Sequence, residues 1–350
     1  MDRRKLEKLR SRFGDAQGGE IRDPEFAKVA AKVFTAPDRR KWPFADRATF
    51  LGAPYRADGD LAGLDAALVG VPMDLGVTNR AGARLGPRAV RGVERIGPYE
   101  HVLKRAPLAE LAVADIGDVP MASRFSLDSC HADIEAFFAR LASAGVAPLA
   151  VGGDHSVTLP ILKALGATRP VGLIHFDAHC DTSGPYEGAK FHHGAPFRRA
   201  VLDGVLDPER TIQIGIRGGA EYLWEFSYES GMTVLHDEDV QRMGVDAVIA
   251  KARKVAGSGP VYVTFDVDGL DPAFAPGTGT PEAGGLTMRE ALAILRGLAG
   301  LDVIGADVVE VAPQYDPTTV TAQNAAQILF TELCLVSIAR EKRGRRRKRA

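Results

Sequence analysis

Asp and His recur at short, regular spacing in the segment DAHCD at 177–181, directly after the apolar run 171–176. In extended backbone Asp177, His179 and Asp181 would project to the same side, because side chains alternate along a strand. Two carboxylates and an imidazole that converge would repel or titrate unless a cation held them, and His with Asp is a common ligand set for divalent metals. The segment therefore predicts a metal site, with an ordinary polar loop as the alternative.

Two further segments follow apolar runs in the same way. FDVDGLDP at 265–272 places Asp266 and Asp268 after the run 261–265, and GGDHS at 152–156 places His155 after the run 146–151. Each of these two segments alone also fits an ordinary loop. The two glycines of GGDHS would allow a tight turn. We expect all three segments to supply ligands to one site.

Four carboxylates and two imidazoles exceed the needs of one metal ion. They suit two divalent ions about 3.5–4 Å apart, which activate water for attack on an electrophilic carbon. Such a reaction requires no nucleophilic Ser or Cys. Cys180 lies between two of the predicted ligands, and we expect it to face away from them as a packed thiol.

The elements that must position these residues form an α/β pattern. Apolar runs without alternation predict buried strands at 67–71, 146–151, 171–176, 211–216, 233–235, 261–265 and 303–309. Apolar residues at three- and four-residue spacing predict helices at 127–144, 245–256, 287–298 and 322–340. The pattern predicts a single three-layer α/β/α domain with a mostly parallel central sheet, which binds ligands at the carboxyl ends of its strands.

Composition limits the class of protein. The chain has 350 residues, 45% of them hydrophobic, so it can bury a sizeable core. We expect an N-terminal extension with a helical start (1–60), a catalytic domain (61–340) and a basic tail (341–350). The formal charge of −1 conceals an acidic body, because residues 340–350 hold eight basic residues and one acidic residue.

An acidic body argues against a nucleic-acid partner, which would need a positive surface. The sequence contains no run of 18 apolar residues, and its N-terminus is charged, so we expect neither a membrane partner nor a secretion signal. Three cysteines far apart make no disulfide framework. These features together predict a cytoplasmic protein.

The three segments, in this order and spacing, resemble the ureohydrolase family, which includes arginase, agmatinase, guanidinobutyrase and formimidoylglutamase. The resemblance extends from about residue 68 to residue 338 and implies an arginase-like fold with two divalent metal ions per chain. Mn²⁺ is the expected ion, and Ni²⁺ is the alternative.

The resemblance also implies roles for individual residues. His193 matches the histidine that relays a proton to the leaving amine, and its neighbour His192 has no matched role. Glu310 matches the glutamate that pairs with the guanidinium. The implied ligands of one metal are His155, Asp177, Asp181 and Asp266. Those of the other metal are Asp177, His179, Asp266 and Asp268, so that Asp177 and Asp266 bridge the two.

The implied reaction is hydrolysis of a small cationic guanidino substrate to urea and an amine. Residues 182–191 lack the Asn and the Ser-Gly-Asn stretch of arginases, which puts arginine in doubt, whereas segments such as 71–88 resemble the agmatinase and guanidinobutyrase branch. An agmatinase-like activity is therefore expected. Guanidinobutyrate, guanidinopropionate, free guanidine and substituted guanidines such as metformin are alternatives.

Two hypotheses of other kinds stay open. One is a related amidohydrolase acting on a formimino or acetyl-amine substrate. The other is a non-catalytic subunit that supports an active paralogue in a hetero-oligomer. The family resemblance otherwise implies a homo-oligomer, either a trimer or a hexamer.

Overall fold

The computed structural model describes residues 1–15, 21–33, 45–56, 60–94, 96–219 and 221–347. The chain divides into two compact units, Met1–Lys41 and Trp42–Ala350. The first unit contains helices α1 (Arg3–Phe13) and α2 (Pro24–Val33), and α1 agrees with the predicted helical start. The predicted site belongs to the second unit.

The described residues of the second unit form a sheet of eight strands, and every strand pair is parallel. The spatial order is β2-β1-β3-β8-β7-β4-β5-β6. The strands are β1 (Ala66–Val71), β2 (Val113–Asp118), β3 (Ala147–Gly152), β4 (Val171–Phe176), β5 (Leu206–Ile216), β6 (Thr233–His236), β7 (Pro260–Asp266) and β8 (Asp302–Val309).

Helices cover both faces of this sheet. All six residues of β1, of β3 and of β4 are buried. Two hydrophobic cores flank the sheet, one including Leu68 and Leu149 and the other including Val69 and Ala150, as expected when successive side chains enter opposite faces. The predicted three-layer α/β/α architecture is confirmed.

The helices of the second unit lie between and after the strands. They are α3 (Gly86–Arg91), α4 (Pro107–Glu110), α5 (Leu127–Ser143), α6 (Thr158–Gly166), α7 (Pro196–Leu202), α8 (Glu225–Glu229), α9 (Asp237–Met243), α10 (Val245–Ala256), α11 (Met288–Gly297) and α12 (Val320–Arg347). Helices α5, α6 and α7 contribute to one core, while α10, α11 and α12 contribute to the other.

The register of the four central strands brings their carboxyl ends level. Val151 of β3 pairs with Val308 of β8, Val308 pairs with Phe265 of β7, and Phe265 pairs with Phe176 of β4. The residues that follow this row therefore emerge side by side at one edge of the sheet. Three of these four strands lead into the Asp and His segments.

Helix α12 extends beyond its predicted end and includes most of the basic run. Glu341 contacts Arg105 at 2.6 Å, Lys342 donates to the carbonyl of Gly300 at 2.8 Å, and Arg343 contacts Asp302 at 2.9 Å. By length and composition, Val320–Arg345 would suffice to cross a membrane, but 78% of its most apolar window is buried within the fold. Such burial is typical of a core helix.

Candidate metal centre and active-site pocket

The segment after β4 does not stay extended, so the predicted alternation of Asp177, His179 and Asp181 is wrong. The strand ends at Phe176, the backbone N–H of His179 donates to Asp177 Oδ1 at 2.6 Å, and Asp181 has φ of 52°. A turn rather than a strand gathers the three side chains. Asp181 is thus in the left-handed region, a conformation that costs about 1–3 kcal/mol.

The segment after β7 also turns at once. Asp266 ends the strand, and Val267–Gly269 form one 3₁₀ turn. Asp266 Oδ1 accepts from the backbone N–H of Asp268 at 2.8 Å, while Asp268 accepts from the N–H of Ala178 at 3.1 Å. The carboxylates of Asp266 and Asp268 are thereby held by backbone donors at the end of β7.

His155 follows β3 in a 3₁₀ turn, His155–Val157. Gly153 precedes it where the backbone passes Met73 so closely that a Cβ would lie 1.6 Å from the Met73 carbonyl oxygen. Close approach, rather than the predicted tight turn, therefore requires glycine at this position.

The Nδ1 atom of His155 is surrounded by carboxylates. It lies 2.9 Å from Asp181 Oδ2, 3.0 Å from Asp177 Oδ2 and 3.4 Å from Asp266 Oδ2. Nδ1 is buried, and none of the described residues gives it a hydrogen bond of good geometry. A buried nitrogen facing three carboxylate oxygens fits a divalent cation, since ligand atoms around one ion lie at such separations.

A second group of ligand atoms adjoins the first. His179 Nδ1 lies 3.2 Å from Asp268 Oδ2 and 3.5 Å from Asp177 Oδ1. The two oxygens of Asp177 thus belong to different groups, as a bridging carboxylate requires. All six predicted metal ligands, His155, Asp177, His179, Asp181, Asp266 and Asp268, are brought together at one edge of the sheet.

The pKa values of several side chains in this cluster are shifted far from their ordinary values. Burial and the carboxylates of Asp268 and Asp177 raise the pKa of Asp266 well above its usual value. Burial opposes protonation of His155, yet the surrounding carboxylates raise its pKa well above the ordinary imidazole value. The cluster thus calls for positive charge, which two divalent ions would supply.

His175 adjoins the cluster, although the sequence analysis gave it no role. Its Nε2 lies 2.7 Å from Asp177 Oδ2, and its Nδ1 lies 3.1 Å from Gln213 Nε2. Gln213 Nε2 also donates to the carbonyl of Cys180 at 2.6 Å, which identifies that atom as the amide nitrogen. His175 Nδ1 therefore accepts, and its Nε2–H donates to Asp177. Only the pairing of β4 with β5 places Gln213 here, so sequence patterns gave no signal for it.

Glu310 and His193 lie together beside the cluster. Glu310 Oε1 accepts from His193 Nδ1 at 2.8 Å and from the backbone N–H of His155 at 2.9 Å. Burial lowers the pKa of His193, but the carboxylate of Glu310 raises it more, to about 9. Glu310 has φ of 65°, and its Oε2 is buried without a hydrogen-bond partner among the described residues. The structure thus places both predicted residues next to the ligand cluster.

A pocket of about 490 Å³ opens above the cluster, and its size suits a small molecule. Tyr186 and Tyr222 are 55% and 76% exposed, which places them at its mouth. Cys180 also borders the pocket, and its buried thiol donates to the carbonyl of Leu223 at 3.1 Å. The other residues of its lining include Thr78, His179, Asp181, Ser183, His192, His193, Asp266 and Thr280.

Comparison with known proteins assigns the family. The model of the arginase family matches residues 64–334. The chain belongs to the arginase family. Hydrolases of this family depend on two metal ions, in agreement with the cluster of His and Asp.

Named relatives of this arginase-family chain act on guanidino compounds. A guanidinopropionase of Pseudomonas aeruginosa is 51% identical over 298 residues, which cover 84% of this chain and 93% of the relative. A mitochondrial agmatinase of Gallus gallus is 46% identical over 278 residues, covering 78% and 82%.

Solved structures agree with the fold. The proclavaminate amidino hydrolase of Streptomyces clavuligerus has a TM-score of 0.81 and 34% identity, covering 85% of this chain and 99% of its own. The arginase of Bacillus caldovelox has a TM-score of 0.66 and 29% identity, covering 77% and 98%. The family resemblance stated from the three segments is confirmed.

Proposed function

We propose that this chain hydrolyses a linear guanidino compound to urea and an amine at a centre of two divalent ions. The observation that carries the proposal is His155 Nδ1, which is buried and lies within 3.4 Å of three carboxylates. One ion would be held by His155, Asp177, Asp181 and Asp266. The other would be held by Asp177, His179, Asp266 and Asp268.

Two such ions supply a nucleophile by lowering the pKa of water to near neutrality. The protein's own task is to hold the planar guanidinium above the cluster. Glu310 Oε1 accepts from His193 and from the backbone of His155, whereas its Oε2 has no hydrogen-bond partner among the described residues. We therefore assign Oε2 to a guanidinium N–H. A charge-assisted hydrogen bond of this kind is among the stronger ones in proteins.

The leaving amine needs a proton when the C–N bond breaks. His193 borders the pocket, and its contact with Glu310 favours the protonated imidazole. Its Nε2 lies 2.6 Å from the hydroxyl of Thr78, which also borders the pocket, and it accepts from the backbone N–H of Thr78 at 3.1 Å. The imidazole must therefore move away from that N–H when Nε2 carries the proton. We assign His193 as the group that protonates the amine, a role that typically contributes about 10²–10⁴-fold to the rate.

The chemistry of the ligands favours Mn²⁺ over Ni²⁺ in this proposal. Four of the six ligands are carboxylates, and oxygen donors suit Mn²⁺, whereas imidazole suits several transition metals. Ni²⁺ remains the alternative, and the metal content of protein purified without added metal decides between them.

The tail of the substrate is proposed from the mouth of the pocket. Tyr186 and Tyr222 offer hydroxyl groups there, whereas the hydroxyl of Ser183 donates to the carbonyl of Gly194. Among the described lining residues the only carboxylates are Asp181 and Asp266 of the metal cluster, and the nearby carboxylate of Glu282 lies 3.4 Å from His179 Nε2. Neutral donors favour a carboxylate tail over an ammonium. Together with the similarity to a guanidinopropionase, this supports a guanidino acid as substrate, with agmatine as the second candidate.

A substrate panel tests the proposal. Protein loaded with Mn²⁺ or Ni²⁺ is assayed for urea with 3-guanidinopropionate, 4-guanidinobutyrate, agmatine, arginine, guanidine and metformin. We expect kcat/KM for a guanidino acid to exceed that for agmatine by about tenfold or more, which corresponds to about 1.4 kcal/mol. No urea from any compound, in folded protein with two ions per chain, would contradict the proposal.

The assembly and the limits of the domain are proposed as well. We propose a cytoplasmic homo-oligomer, a trimer or a hexamer, whose catalytic domain spans residues 61–340 with an N-terminal extension before it and a basic tail after it. The compact unit itself begins earlier, at Trp42, and α12 continues into the tail as far as Arg347. Light scattering of the full chain measures the assembly. Urea release by this protein alone would exclude the alternative of a non-catalytic subunit in a hetero-oligomer with a paralogue.

A further inference from the structure

A row of polar side chains crosses the sheet directly beneath the metal cluster. Asp307 of β8 pairs with Thr264 of β7, Thr264 pairs with His175 of β4, and His175 pairs with Gln213 of β5. All four residues are 0% exposed. Buried polar groups are costly unless each is satisfied, so this row calls for a specific role.

The row contacts the ligand cluster at two points. Thr264 Oγ1 lies 2.8 Å from His155 Nε2, and His175 Nε2 lies 2.7 Å from Asp177 Oδ2. The proposed ligands His155 and Asp177, which follow different strands, are therefore hydrogen-bonded to neighbouring residues of the same row.

The direction of the hydrogen bonds follows from Asp307. Its carboxylate accepts from three hydroxyls, those of Thr264 at 2.5 Å, Thr158 at 2.8 Å and Tyr262 at 3.0 Å. A threonine hydroxyl has one proton, and Thr264 gives it to Asp307. The oxygen of Thr264 must then accept from His155, so the proton of the neutral imidazole lies on Nε2. The lone pair of Nδ1 is thereby left facing the carboxylates of Asp177 and Asp181.

We infer that Asp307 and Thr264 are positioning residues that fix the tautomer of His155 and so set the affinity of one of the two metal sites. The inference rests on the proposed metal role of His155. Without the Thr264 hydroxyl, His155 Nε2–H would be buried without an acceptor, and the tautomer with the proton on Nδ1 would compete. That tautomer presents no lone pair to a metal ion.

Thr158 provides a matched control, because it is also 0% exposed and its hydroxyl donates to the same carboxylate of Asp307. It bonds to His155 only through its backbone N–H, which donates to the His155 carbonyl and is kept in a valine variant. Thr264→Val and Thr158→Val each remove one hydroxyl bond from Asp307. Thr264→Ser keeps the hydroxyl and should restore the behaviour of the unmodified protein. A merely structural role of Asp307 would give the two valine variants the same effect.

The experiment measures Mn²⁺ binding to the metal-stripped full chain by calorimetry and by electron paramagnetic resonance, without substrate. We expect Thr264→Val to weaken one of the two sites by about 10–100-fold, the loss typical of a changed outer-shell partner, and to leave the other site unchanged. In Thr264→Val, the electron paramagnetic resonance signal of two coupled Mn²⁺ ions should be replaced by that of a single Mn²⁺ ion. Thr158→Val should bind both ions with unchanged affinity even if its Tm falls as much as that of Thr264→Val.

Equal affinities in Thr264→Val and the unmodified protein would overturn the inference, and so would equal weakening by Thr158→Val. If Thr264→Val does not fold, ¹⁵N-histidine NMR of the unmodified, metal-free protein decides, recorded at a pH high enough for His155 to become neutral. The inference requires the proton of neutral His155 on Nε2 and not on Nδ1. Binding is measured without substrate, so a protein that binds both ions but releases no urea would contradict the proposed reaction and leave this inference standing.

Discussion

The ligand cluster and the mouth of the pocket lie next to each other but differ in burial and support. His155 and Asp177 are 0% exposed and are held by side chains of the sheet. Tyr186 and Tyr222 are more than half exposed, and they lie in a loop and in a short 3₁₀ helix. The buried part has little freedom to rearrange, because each ligand shares its hydrogen bonds with another group. We expect substitutions in the exposed part to leave the buried cluster intact. This difference suggests how one family acts on substrates with different tails.

The largest effect is expected from a bridging ligand. Asp177→Asn removes one negative charge shared by both metal groups and leaves an amide that is a poorer ligand, so we expect loss of both ions and a fall in urea release of at least about 10³-fold. Asp316→Asn is the matched control, since Asp316 is buried but serves the start of α12 by accepting from Thr318 and Thr321. Two ions per chain in Asp177→Asn, measured by mass spectrometry of the metals, would refute the bridging role.

A smaller effect is expected where the cluster meets the substrate. Glu310→Gln removes the charge that we propose to pair with the guanidinium but can still accept from the backbone N–H of His155, so both ions should remain bound. We expect kcat/KM to fall by about 10²–10³-fold, as on the loss of one strong transition-state contact. The variant is checked by steady-state urea release together with metal content. Loss of the metals along with activity would show that Glu310 belongs to the ligand cluster and not to the substrate site.

The smallest effect is expected at the mouth. Tyr222→Phe and Tyr186→Phe remove one hydroxyl each from exposed side chains, and a single neutral hydrogen bond contributes about 0.5–1.5 kcal/mol. We expect KM for a guanidino acid to rise by about 2–10-fold, with kcat and metal content unchanged. Tyr228→Phe, another exposed tyrosine that does not border the pocket, serves as control. A large fall in kcat would place these tyrosines in the chemistry.

Most of the strands, and the cluster at their carboxyl ends, are predictable from the sequence, because the six side chains lie in short segments that follow apolar runs. The predicted run 171–176 has the same bounds as β4. The predicted run 211–216 lacks the first five residues of β5, and the other five predicted strands differ from those observed by one residue at one or both ends. β2 was missed, since its sequence VADIGD contains two aspartates. Asp115 is nevertheless buried there, because Arg91 contacts it at 2.8 Å. A charge neutralised by a distant residue leaves no local signal.

The path of the chain through the site was less predictable. Alternation placed Asp177, His179 and Asp181 on one side, whereas the structure gathers them by a turn with a left-handed Asp181. The row Asp307, Thr264, His175 and Gln213 depends on strand register, which no single segment encodes. Sequence patterns thus predicted which side chains converge at this edge, whereas their hydrogen-bond partners in the sheet became evident only from the strand register.

The central claim is that six side chains from three strand ends hold two metal ions in one centre. Anomalous diffraction from crystals of the Mn²⁺-loaded protein measures this directly. The account predicts two peaks about 3.5–4 Å apart, with Asp177 and Asp266 contacting both. A single peak, or two peaks that do not share these carboxylates, would contradict it.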